Sequence, residues 1–94
     1  MKHHIIAKFG PQVQDKKALT PEIAALFAKA DGIPGVRRVQ IMENCIERDN
    51  RYDLMIVVEM KKDALPAWDA SDVHHQWKEQ YGPLLQAKAI FDCE

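Results

Sequence analysis

Residues 53–60, Asp53-Leu54-Met55-Ile56-Val57-Val58-Glu59-Met60, form the longest nearly unbroken apolar run in the chain. The β-branched centre of that run favours a strand over a helix. Alternation sends Tyr52, Leu54, Ile56, Val58 and Met60 to one face and Met55 and Val57 to the other, with Asp53 and Glu59 at the ends. Both faces are apolar through the middle, so the strand belongs at the centre of a sheet that is covered on both sides.

Working outward from it, a charged stretch at 44–51 connects back to a second strand, Val36 to Glu43. A loop that short makes the two strands antiparallel neighbours. Upstream, Lys2 to Phe9 alternates as a first strand and stops at Gly10-Pro11, and residues 10–19 read as a loop. Thr20-Pro21-Glu22 reads as a helix start, with Thr20 as cap and Pro21 at the first helical position. Ile23, Leu26, Phe27 and Ala30 then make one apolar stripe, closed by Asp31-Gly32. Ile33-Pro34-Gly35 is a tight connection into the second strand.

Downstream of the central strand, Lys61 to Ala70 reads as a short helix with Asp63 as its cap and Pro66 in its first turn. Ser71-Asp72 caps another helix that runs to Tyr81, where Gly82-Pro83 interrupts it. Leu84-Leu85 fits a last apolar turn, and Ala87 to Asp92 closes the chain as a fourth strand. The order is β-α-β-β-α-β with a broken second helix: an α+β, ferredoxin-like sheet with its helices on one face.

The composition bounds what such a domain does. Ninety-four residues, 47% of them hydrophobic and 29% charged, make one domain over 1–94. A net charge of −1, from 13 basic and 14 acidic residues mixed along the chain, provides no stripe for phosphates. Neither nucleic acid nor a membrane surface is therefore expected as a partner. Cys45 and Cys93 form no motif and, with no secretory signal in view, read as free thiols of a cytoplasmic protein.

The same order, with these residues at its joints, resembles the stress-responsive A/B barrel (Dabb) family. The matching pieces are Lys2-His3 and Lys8-Phe9, Ile33-Pro34-Gly35-Val36, Tyr52-Asp53-Leu54, Ala64-Leu65 with Trp68, His74-His75-Gln76-Trp77, and Phe91-Asp92. The resemblance implies a homodimeric α+β barrel, in most members without an assigned reaction. One plant member is a polyketide cyclase that works without metal or cofactor, through a His-Tyr pair between sheet and helices. The resemblance places that histidine on His74 and a second pocket histidine on His3. It places the catalytic tyrosine on Trp68, which has no acidic hydroxyl, and a further pocket histidine on Leu54.

From the residues themselves, His74 shares a helical stripe with Ala70, Trp77 and Tyr81 and faces inward, while His75 faces solvent. An inward imidazole beside aromatics is held neutral and usable as a base. It is more often the pattern of a core histidine whose ring nitrogen meets a backbone carbonyl. Tyr81 is a candidate replacement for the missing phenol. His3, Leu54, Trp68 and Trp77 are candidate ligand contacts, although aromatics on amphipathic elements are more often plain core. His3 and His4 point to opposite faces and cannot chelate one ion, and no third ligand is placed to help. No metal and no cofactor are expected.

Three functions follow. The first is a small homodimer, paired through the sheet face that the helices leave open, which binds a small apolar metabolite between helices and sheet. The second is a cofactor-free cyclase- or isomerase-type enzyme with His74 as general base. The third, by fold analogy alone, is a ferredoxin-like monooxygenase of quinones or haem. Ile6, Val39, Ile41, Met55, Val57 and Ile90 are expected on the open sheet face.

Overall fold

The computed structural model describes residues 1–94. Its strands are β1 (Lys2–Phe9), β2 (Val36–Glu43), β3 (Leu54–Met60) and β4 (Leu85–Cys93). They form one four-stranded antiparallel sheet in the order β2-β3-β1-β4. Helix α1 (Lys16–Ala28), extended by a 3-10 turn, joins β1 to β2. Two five-residue helices, α2 (Leu65–Asp69) and α3 (Asp72–Gln76), lie between β3 and β4. A π-helical turn (Trp77–Tyr81) and a 3-10 turn follow α3 and lead into β4. No helix is long and apolar enough to cross a membrane.

The run that opens the sequence is a central strand, with β1 on one side and β2 on the other. Leu54, Ile56, Val58 and Met60 point under the helices and join Ile5, Ala7 and Phe9 of β1. Ile23, Leu26 and Phe27 of α1, Trp68, Val73, Trp77 and Tyr81 close that core from above. The helices thus cover one face of the sheet only.

Pairing register corrects the expected membership of the open face. Val39 lies opposite Val58 and Ile41 opposite Ile56, so both face the helices and pack on the core. Ile90 sits opposite Ile5, again on the helix side. The open face instead carries His4, Ile6, Met55, Val57, Gln40, Met42, Ala87, Ala89 and Phe91, with Lys2, Arg38 and Glu59 toward one end. The physical reason is parity: in a strand a one-residue error in register exchanges every side chain between faces.

Helix α1 begins a turn earlier than Thr20. Asp15 is its cap, with a carboxylate oxygen accepting from the Ala18 N–H at 3.2 Å. Thr20 spends its hydroxyl on Glu43 of β2 at 2.8 Å, and Pro21 lies inside the helix. That proline forfeits one intrahelical hydrogen bond, which the buried stripe of Ile23, Leu26 and Phe27 offsets. Ser71 caps α3 as expected, accepting from the His74 N–H at 3.2 Å. Asp63 caps nothing and lies in a 3-10 turn, while β4 takes in Leu85 and reaches Cys93. Gly35 has φ 90°, and a β-carbon there would lie 2.6 Å from that of Ala64. The connection into β2 therefore fits against the start of the second helical segment only with glycine.

Candidate functional site

The first two strand residues after Met1 diverge, as alternation requires. His3 goes under the helices and is only 6% exposed, while His4 lies on the open face and donates from Nδ1 to the Phe91 carbonyl at 3.0 Å. The β1–β4 register sets His3 directly opposite Asp92. His3 Nδ1 and an Asp92 carboxylate oxygen are 2.5 Å apart. A carboxylate only accepts, so Nδ1 of His3 carries a proton and donates, and in the neutral ring the lone pair falls on Nε2.

Above His3 lies Trp68, at the end of α2 and completely buried. Its ring centroid is 6.2 Å from that of His3, 5.4 Å from that of His74 and 5.7 Å from that of Phe27. Trp68 is therefore the middle member of a row that runs from the buried His3 to the half-buried His74. Its indole Nε1 is buried and has no hydrogen-bond partner. Trp77 and Tyr81 stack one turn further along, with centroids 5.8 Å apart, and Phe27 meets Trp77 edge-on at 5.5 Å.

His74 is oriented by the break between the two short helices. The Ser71 hydroxyl and N–H both bond to the Trp68 carbonyl, which ends α2. The next turn brings His74 Nδ1 within 3.0 Å of the Asp69 carbonyl. That bond again fixes the proton on Nδ1 and presents Nε2 as the basic nitrogen. His75 is solvent-exposed.

The other expected site residues are placed as follows. Tyr81 is buried, and its hydroxyl donates to Glu22 of α1 at 3.3 Å. Burial first, and then the negative charge and hydrogen bond of Glu22, push that phenol above its ordinary value of 10.0. The phenol is held protonated and committed to α1, while it is Trp68 that adjoins His74. Leu54 sits in the core at the opposite end of β3 from the row, and Trp77 packs against Phe27. The structure thus gathers His3, Trp68 and His74 and adds Asp92. The sequence held the Phe91-Asp92 pair in view, but only the register of two strands 89 residues apart assigns Asp92 to His3. No three His, Cys, Asp or Glu side chains converge as a metal site would require.

A cleft of about 540 Å³ opens at the other end of the sheet, between the start of α1 and the 44–51 loop. Its walls mix Lys16, Lys17 and Arg48 with Asp15, Glu43, Glu47, Asp49 and Asp53. Several of these are already paired: Lys16 with Asp53 at 3.2 Å, and Glu43 with Thr20. It is a solvated groove of mixed charge with acidic groups in excess.

Architecture and register define the class: an α+β domain of ferredoxin-like fold. No family model matches the sequence, and no curated protein is similar to it at the sequence level. Solved structures share its fold. A dimeric ferredoxin-like protein of unknown function from Thermobifida fusca superposes with a TM-score of 0.78 at 14% identity, over 96% of this chain and 85% of that one. A Dabb family protein from Mesorhizobium loti gives 0.73 at 9% identity, covering 99% and 93%. The hydroxynitrile lyase of Passiflora edulis gives 0.73 at 10% identity, covering 96% and 87%.

Proposed function

We propose that the chain is a homodimeric protein of the stress-responsive A/B barrel type that holds a small, mostly apolar molecule at the His3–Trp68–His74 row. The observation that supports this most is the buried His3, locked by Asp92 and roofed by Trp68. A core needs no such device, because burying an imidazole costs more than burying a leucine, and here a partly exposed carboxylate is set to hold it. The way in is the His74 side, where that ring alone among the three is half-exposed. The cover there consists of two five-residue helices and a π-helical turn. Segments that short are the low-stability end of a structure and open locally, and π-helical turns recur at functional sites.

A second reading has one specific support. In their neutral forms His3 and His74 each carry the proton on Nδ1 and leave the lone pair on Nε2, the arrangement of a general base. A cofactor-free proton transfer on a carbonyl compound fits it, and the same fold is a hydroxynitrile lyase in Passiflora edulis. His74, within reach of solvent, is then the base that exchanges the proton, and His3 with Asp92 orients the substrate.

Titration with Prodan, a neutral naphthyl ketone dye, tests the binding reading. Saturable fluorescence enhancement is expected for the parent, weakened about tenfold in His74→Ala with the melting temperature kept within about 2 °C. A melting temperature that falls by several degrees, with no dye binding in either protein, would make His74 a structural residue instead.

A further inference from the structure

Trp68 Nε1 is the one side-chain nitrogen or oxygen that is buried in this fold without a partner. Leaving such a donor unmet costs a folded protein the desolvation of the group, so native structures rarely keep one without reason. Packing alone does not ask for it, since a phenylalanine would bury apolar surface here with no N–H to satisfy. The donor lies in the same row as two oriented imidazoles, with the half-buried His74 ring 5.4 Å from the indole, centroid to centroid.

We infer that the Trp68 indole N–H is the specificity donor of this site. It selects a ligand that brings a neutral acceptor oxygen, such as a ketone, against a hydrocarbon of the same shape. The inference rests on the ligand-binding reading above and names the chemistry of that ligand. Three features decide the class. Indole is a donor only, so its partner must be an acceptor. One N–H in a buried setting cannot repay the desolvation of a full negative charge. Asp92 already brings a carboxylate to the site through His3, and while that ring is neutral the charge disfavours a second anion beside it. A carboxylic acid in its ionised form is thereby rejected, and a carbonyl is accepted. The indole also cannot give up its proton to the ligand, so Trp68 binds and polarises an oxygen while any proton moves at a histidine.

Three probes of closely similar size test this on the intact protein: acetophenone, ethylbenzene and benzoate. The readout is the indole N–H resonance in a nitrogen–proton correlation spectrum, in which the chain's two tryptophans give two signals. Acetophenone is expected to move the Trp68 indole proton and to bind about tenfold more tightly than ethylbenzene, the worth of one hydrogen bond. Benzoate is expected to leave the signal in place. In Trp68→Phe the ketone preference should fall to within about twofold; where that variant does not fold, the parent spectrum alone decides. Equal binding of ketone and hydrocarbon with an unmoved indole signal would overturn the inference and leave the binding site standing. Tightest binding by benzoate would overturn the neutral-oxygen requirement. No response to any probe at millimolar concentration at His3, Trp68 or His74 would overturn the site itself, and the inference with it.

Discussion

Tyr81 shows what a single buried side chain does to the behaviour of the whole fold. Its phenol is raised by burial and by Glu22, so the folded chain keeps a proton that the unfolded chain loses near pH 10. In that interval the unfolded state binds fewer protons, and stability must fall as pH rises through it. Below pH 10 both states hold the proton and this contribution is flat. Tyr81→Phe removes the effect, so chemical denaturation at about pH 9 and about pH 11 should show a steeper alkaline loss for the parent than for the variant. Equal losses would mean that the Tyr81 phenol gives up its proton alike in the folded and unfolded chain, against both its burial and its contact with Glu22. At this scale the sequence was informative about direction and silent about partners. The helical stripe turned His74 toward the protein, where it is half-buried, and His75 away, whereas Ala70, expected on the same stripe, is exposed in the break between α2 and α3. It also brought Tyr81 inward, but the hydroxyl's choice of Glu22 and the His3–Asp92 contact join residues 59 and 89 apart, which no local pattern specifies.

Elements were legible where burial dictates them and misread where two local signals compete. The central strand, β1 and β2 follow from alternation, because every second side chain must be either wet or dry. The start of α1 does not. Thr20-Pro21-Glu22 carries a complete start signal, yet Asp15 caps a turn earlier and the proline is absorbed. The extra turn is retained because it sets Lys16 on Asp53, whose other carboxylate oxygen accepts from the Phe9 N–H at 2.8 Å. One aspartate thereby ties the end of β1, the start of β3 and the start of α1. Asp15→Ala should cost about 1 kcal/mol in urea denaturation, and Thr20→Ala about 0.5 kcal/mol or less, since it loses one exposed hydrogen bond. The reverse ranking would restore Thr20 as the cap.

For the whole molecule, the decisive feature is that the helices cover one face of the sheet only. The open face has Ile6, Met55 and Val57 at its centre, Met42 and Phe91 on the outer strands, and charges toward its end. An apolar area of that kind is rarely left in water by a monomer, and each copy that covers another gains roughly 25 cal/mol for every Å² hidden. A face that meets its own copy is self-complementary about a two-fold axis. Val57 is the centre of that face but is 7% exposed even in one chain, so a charge placed there would strain the monomer as well. Phe91, at 61% exposed, is the better site: it contributes little to its own chain's core and, in the pair, would be covered by the partner. Sedimentation equilibrium of the parent and Phe91→Lys at micromolar concentration is therefore the most direct measurement. The parent should sediment at twice its 10.8 kDa chain mass, and the variant as a folded monomer with unchanged circular dichroism. A parent that sediments as a compact single chain would contradict the pairing of the open sheet face.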